Sequence, residues 1–208
     1  MKKQIIITAL AISALFNMTA FAENNIDRES AFASAYSEIQ ENIIDNALSI
    51  GIIENKDYSW NEDINREQFC EFAYNMINSV KELPVAKLSA NPFNDINNPK
   101  INALTFVNII SGKEEGRFAP NDKITREEAA VVLYRMAKYA GIEMPVVKVD
   151  MSYSDNDKIS DWAVSSVYSL KVLNVITNNT DDRFDPKSNY TVGESISSII
   201  KLYDLIKK

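Results

Sequence analysis

The 208 residues carry 29 acids against 22 Lys and Arg, a formal net charge of −7, with one cysteine and no histidine. An acidic chain lacks the broad positive field that non-specific nucleic-acid binding requires. The missing histidine removes Ser-His-Asp and Cys-His machinery and the commonest metal ligand, and a lone Cys70 excludes an intramolecular disulfide.

The chain opens on Met1-Lys2-Lys3, runs apolar from Ile5 to Phe16 and exits through Ala20-Phe21-Ala22. A basic start, a short apolar middle and an A-x-A site read as a signal peptide over residues 1–22. A retained membrane anchor is the competing reading, but a span needs about 20 apolar residues, and Asn17 and Thr19 interrupt this run. A secreted chain is expected.

Next comes Ile26-Asp27-Arg28-Glu29, a fragment similar to helix starts further along, so residues 23–35 are expected to form a helical half-repeat. Three fuller units follow, over 36–83, 93–141 and 153–208. Each opens on an aromatic with an acid two residues on: Tyr36-Ser37-Glu38, Phe93-Asn94-Asp95 and Tyr153-Ser154-Asp155. A short apolar helix comes after each opener, with Ile44, Ala47 and Ile50, then Ile101, Leu104 and Val107, then Val167, Leu170 and Leu173. These helices end at Gly51, Asn108 and Asn174, residue types that tolerate the left-handed conformation. Asn55, Gly112 and Asn178 are second candidates of the same kind.

The strongest repeat is a gapless string: Tyr58 to Gln68, Phe118 to Glu128 and Phe184 to Glu194. Its end starts a second helix. Thr125 with Glu128 and Thr191 with Glu194 are capping boxes, and Asn65 with Gln68 is a looser one. Apolar residues then recur at helical spacing, as in Phe69, Phe72, Ala73, Met76 and Ile77. Pro84, Pro92 and Pro145 mark linkers. Each unit is thus helix, loop, helix, and none can bury its apolar face alone. The expected fold is all-α. Cys70 lies in an apolar stripe and reads as a small buried hydrophobe.

These strings resemble S-layer homology modules. The second unit has Phe93-Asn94-Asp95, Ile109-Ile110-Ser111-Gly112, Phe118-Ala119-Pro120 and Ile124-Thr125-Arg126-Glu127-Glu128; the third has Tyr153-Ser154-Asp155, Trp162-Ala163 and Phe184-Asp185-Pro186. The resemblance implies three modules packed as a pseudo-threefold array. It implies grooves between modules that bind cell-envelope polysaccharide, a secondary cell-wall polymer that is anionic and often pyruvylated, without catalysis. It implies anchoring at the cell wall or cell surface. On matching positions it names Arg66 and Arg126 as ligand contacts, with Trp162 and Gly112 behind them. Val192 replaces the arginine in the third unit, and the tryptophan position reads as Ile39 in the first unit and Ile96 in the second, where the first helices look shortened.

The residues themselves weigh on that assignment. Thr125 and Glu128 are explained by capping alone. Arg66 and Arg126 stand at the first helical position, where a cation opposes the macrodipole at a cost of about 0.3–1 kcal/mol. Helix stability does not ask for them, whereas an anion held by the guanidinium and the orphan N–H groups would. A local ion pair, such as Arg126 with Asp122, is the alternative. The acid-rich stretches Asp150–Asp161 and Asn178–Asp185 lack the spacing of a calcium loop and read as solvated loops and caps. No catalytic residue, metal or cofactor is expected. A secreted structural or interaction protein with decayed grooves is the second reading, and a hydrolase has only scattered carboxylates behind it.

Overall fold

A computed structural model of the chain describes residues 25–83, 91–146, 153–177 and 182–208, with side chains from residue 33 onward. The expected leader over 1–22, Pro84 and Asn178 lie outside the described residues. The chain divides into two compact regions, 1–42 and 43–208.

Among the described residues there are six α-helices and no strand, so the fold is all-α. The first, α1 (Asn25–Ile50), is continuous. It carries the expected half-repeat and the expected opener Tyr36-Ser37-Glu38 without a break, and these three residues are exposed. The first helix of the first unit is therefore long, not shortened. The cause is local: Ala, Glu, Gln and Ser fill this stretch, with no proline or glycine to stop a helix. Within the second region, Ile43 and Ala47 are its buried residues. It ends at Gly51, with φ +83°.

The second helices of the units are α2 (Arg66–Val80), α4 (Arg126–Ala140) and α6 (Val192–Ile206), each 15 residues long. All three begin as their sequences dictate. Asn65 accepts from the N–H of Gln68, and the capping boxes of Thr125 and Thr191 are complete. Between them lie α3 (Pro99–Phe106) and α5 (Asp161–Val172). The eight residues of α3 against twelve of α5 match the shortening expected in the second unit. Asn108 and Asn174 end these helices with φ +59° and +55°.

The helices α2, α4 and α6 pack on one another, while α3 packs on α2 and α5 on α4. The first helices α3 and α5 thus each cover the second helix of the preceding unit. Phe69, Ile77, Leu104, Phe118, Leu133, Phe184 and Ile196 are all buried between them. Burying one such side chain contributes about 1.5–3 kcal/mol. Cys70 is buried too, and burial pushes its thiol up to about 12, so it is an inert hydrophobe.

The residues just ahead of the three second helices close a ring of backbone bonds. The N–H of Ile64 donates to the carbonyl of Tyr190 (2.9 Å), that of Ile124 to Ile64 (3.3 Å), and that of Tyr190 to Ile124 (2.9 Å). These N–H groups and carbonyls belong to buried residues, and each finds its partner in another unit.

Candidate functional site

The first turn of each second helix leaves N–H groups without an intrahelical acceptor. Here the turn of the next unit receives them. Arg66 N–H donates to Asp122 (2.9 Å) and Glu67 N–H to Pro120 (3.1 Å); Arg126 N–H donates to Ser188 (3.0 Å) and Glu127 N–H to Pro186 (3.1 Å). The same pattern returns from the third unit to the first, with Val192 N–H to Glu62 and Gly193 N–H to Trp60, both 2.9 Å. The orphan donors expected to meet an anion are therefore already used at these two positions of every helix.

The guanidinium groups follow their backbone into the neighbouring unit. Arg66 is only 7% exposed; its Nε donates to the Phe118 carbonyl (3.1 Å) and its Nη2 to that of Ser111 (3.2 Å). Its Nη1 lies 3.8 Å from the Glu128 carboxylate, and its carbon stands 4.9 Å from the Phe118 ring centre. Arg126 is 4% exposed and repeats the arrangement one unit on. Nε donates to Phe184 (2.7 Å), Nη2 to Thr177 (3.0 Å), and Nη1 to the carboxylate of Glu194. It also lies over the Phe184 and Tyr190 rings, at 5.2 and 5.5 Å. Burial pushes the Tyr190 hydroxyl up to about 12, against the opposing pull of the Arg126 charge.

Two expectations change on this geometry. Helix stability does not ask for an arginine, but tertiary packing does: each guanidinium spans two units and satisfies two loop carbonyls. The ion pair is also not local. Asp122 takes Lys113 (2.9 Å), while Arg126 takes Glu194 of the third unit. Arg126 is buried while Glu194 is 34% exposed, so the pair gains its worth from the supplementary hydrogen bonds at the arginine end.

The second residue of each helix start forms a further link. Glu127, only 3% exposed, accepts from the N–H (3.0 Å) and hydroxyl (3.1 Å) of Ser160, the cap of α5, and pairs with Lys187. Glu67 accepts from Asn98 (2.9 Å), the cap of α3. Trp162 stands two residues beyond Ser160 and is 58% exposed, so Arg126 and Trp162 belong to one junction. The matching cap Asn98 puts Lys100 at the tryptophan's register in the second unit, in place of Ile96, because α3 starts late.

Gly112 follows Ser111 in the loop that receives Arg66. Its φ is not left-handed, contrary to expectation; space decides. A Cβ there would come within 2.6 Å of the Arg117 carbonyl and 2.9 Å of the Phe93 ring. Asn55 likewise is not left-handed, and its side chain accepts from the Asp57 N–H (2.9 Å). Lys113 and Lys187 were not singled out in the sequence. Both are more exposed than the arginines, and each contacts an acid at its junction. The only sequence signal was position: Lys113 follows Gly112, and Lys187 follows Pro186.

The acids of the openers have a structural task. Asp95 accepts from the N–H groups of Phe118 (2.9 Å) and Ala119 (2.8 Å), and Asp155 from those of Phe184 (2.8 Å) and Asp185 (2.9 Å). These bonds hold Ala119 and Asp185 in left-handed backbone, at φ +61° and +54°. At Asp95 the Phe118 bond leads in lowering the carboxyl below its usual range. At Asp155 burial raises it, but the Phe184 and Asp185 bonds win and the net direction is down.

Residues 101–130 match the model of the S-layer homology domain. An endoglucanase of Bacillus sp. (strain KSM-635) is 36% identical over 114 residues, covering 53% of this chain and 12% of its own length. An amylopullulanase of Thermoanaerobacterium thermosulfurigenes is 26% identical over 202 residues, 93% of this chain and 10% of its own. Cell surface glycoprotein 1 of Acetivibrio thermocellus is 29% identical over 120 residues, 53% of this chain and 5% of its own. The chain thus spans 12% or less of the length of these relatives. Among the described residues no helix is long and apolar enough to cross a membrane. The matched stretch holds Gly112, Ala119 and Arg126, the loop, turn and helix start on which two junctions meet, so the chain carries a match to the S-layer homology domain where its second unit meets both neighbours.

Proposed function

We propose that the chain binds an anionic cell-wall polysaccharide without covalent chemistry and thereby anchors its protein to the cell surface. The units 36–83, 93–141 and 153–208 act as three modules about a pseudo-threefold axis, a reading supported by the closed ring of Ile64, Ile124 and Tyr190 bonds. One observation carries the binding role. The S-layer homology match covers the loop that receives Arg66 and the helix start that sends Arg126 onward.

At the junction of the second and third modules, Arg126 keeps donors on Nη1 and Nη2 beyond those spent within the protein. Lys187 adds an exposed cation, and exposed Trp162 offers an apolar face for a sugar ring. At the junction of the first and second modules, Arg66 and Lys113 supply charge and Gly112 shapes the loop. The ligand is an acidic secondary cell-wall polymer, with a pyruvylated sugar as the acid. Purified protein should sediment with cell-wall sacculi, lose that binding after polymer extraction or removal of pyruvyl groups, and bind less as salt rises. Equal sedimentation with extracted sacculi would overturn the reading.

A second reading has its own observation. Both arginines are buried and use most of their reach on the protein itself, as in a structural protein whose grooves no longer bind. Failure to sediment with intact sacculi would favour it.

A further inference from the structure

The third junction, from α6 back to the first string, differs from the other two at four aligned positions. Val192 stands where Arg66 and Arg126 stand. Gly193 replaces Glu67 and Glu127. On the receiving side, Trp60 replaces Pro120 and Pro186, and Gln68 replaces Glu128 and Glu194. The backbone is unaltered, because Val192 and Gly193 still donate to Glu62 and Trp60.

The indole of Trp60 lies directly on Gly193. A Cβ at Gly193 would come within 2.3 Å of Cε2 and 2.4 Å of Nε1 of that ring, closer than any side chain tolerates. Val192 is itself buried, at 4% exposure. An arginine at this junction would meet Gln68, which carries no charge, in place of the carboxylate that Glu194 gives Arg126. Loss of the cation, loss of its counter-charge and entry of a large apolar ring therefore coincide in one place.

We propose that Trp60 seals the third junction, so that the chain offers two junctions to an anionic polymer and not three. The statement about polymer rests on the binding role proposed above; the seal itself does not. A glycine at position 193 is what lets the indole close on α6, and the bond set of the ring survives because it is made by backbone alone. The seal exchanges an ionic link for an apolar one and leaves no unpaired charge behind.

The two tryptophans separate seal from binding. In Trp162→Phe protein, where Trp60 is the sole emitter, acrylamide should quench several-fold less than in Trp60→Phe protein, where exposed Trp162 emits. This measurement needs no ligand. Extracted cell-wall polymer should then shift the emission of Trp162 and leave that of Trp60 unmoved. Val192→Arg alone should leave polymer affinity unchanged, because Trp60 and Gln68 still close the junction. Equal quenching of the two tryptophans, a polymer-induced shift at Trp60, or tighter binding by Val192→Arg would each overturn the proposal. Absence of polymer binding by the unaltered chain would instead remove the binding role, while quenching would still decide the seal.

Discussion

The junction of Arg126 with the third unit and the junction of Val192 with the first share one backbone design and differ in chemistry. In both, the first two N–H groups of a capped helix donate to carbonyls of the next turn, at 2.9 to 3.1 Å. In one, a guanidinium adds two carbonyl bonds and a carboxylate. In the other, an indole lies flat on a glycine. The backbone bonds are thus what the fold repeats, and the side chains above them are free to become ionic or apolar. Arginine at the helix start is an interunit tie as well as a candidate contact, and a change there reports on both.

The largest test of this comparison is Arg126→Ala against Val192→Ala. Removing Arg126 strands the Phe184 and Thr177 carbonyls and takes the cation from Glu194, which keeps its Thr191 bond, and should destabilise by about 2–4 kcal/mol. Removing two methyl groups at buried Val192 should cost about 1–2 kcal/mol. Thermal unfolding followed by circular dichroism would order the two, and equal losses would break the distinction between the junctions.

Gly193→Ala tests the apolar side. A methyl group there forces the indole away from α6, at a cost of about 1–3 kcal/mol. In a Trp60→Ala background the same Gly193→Ala change should cost little, which sharpens the assignment of cause. A Gly193→Ala protein as stable as the unaltered chain would mean that the ring does not rest on α6.

Thr125→Ala removes a local feature that all the units share in form, and should cost about 1 kcal/mol. Comparison with Asn65→Ala would show how far a complete capping box exceeds the single bond at Asn65.

The smallest effect is expected in acid. Asp95 and Asp155 have folded-state pKa values below the unfolded carboxylate value of about 3.9. Their stabilisation is therefore fully present above that value and is lost as pH falls through the folded value. Asp155→Asn and Asp95→Asn should lower stability at neutral pH and flatten its acid dependence. In the first unit the acid of the opener, Glu38, lies within α1. An unchanged acid limb in the Asp variants would refute the role of the openers.

The all-α class, the three capped helix starts and the left-handed ends at Asn108 and Asn174 were legible in the chain itself. Capping boxes join residues three apart, and helix ends depend on one residue's backbone freedom, so a short window contains the whole interaction. The opener at Tyr36 takes a different form from the other two: nothing between Asn25 and Asn42 stops a helix, and the three residues lie within α1. Local composition prevailed over analogy with the other units.

The site residues were found by position but not by task. Arg66 and Arg126 were marked because a cation at a helix start opposes the dipole, yet their partners lie 52 and 58 residues away. Trp60 gave no signal beyond a missing proline, and its importance depends on Gly193 closing beneath it from the other end of the region. Sequence by itself determined which segments are helices, where they start and which residues repeat, because those properties arise from neighbours along the chain. Only the tertiary structure decided which unit each arginine enters, which carboxylate answers it and which junction is closed, because those contacts join residues that chain order keeps far apart, up to 133 positions for Gly193 and Trp60.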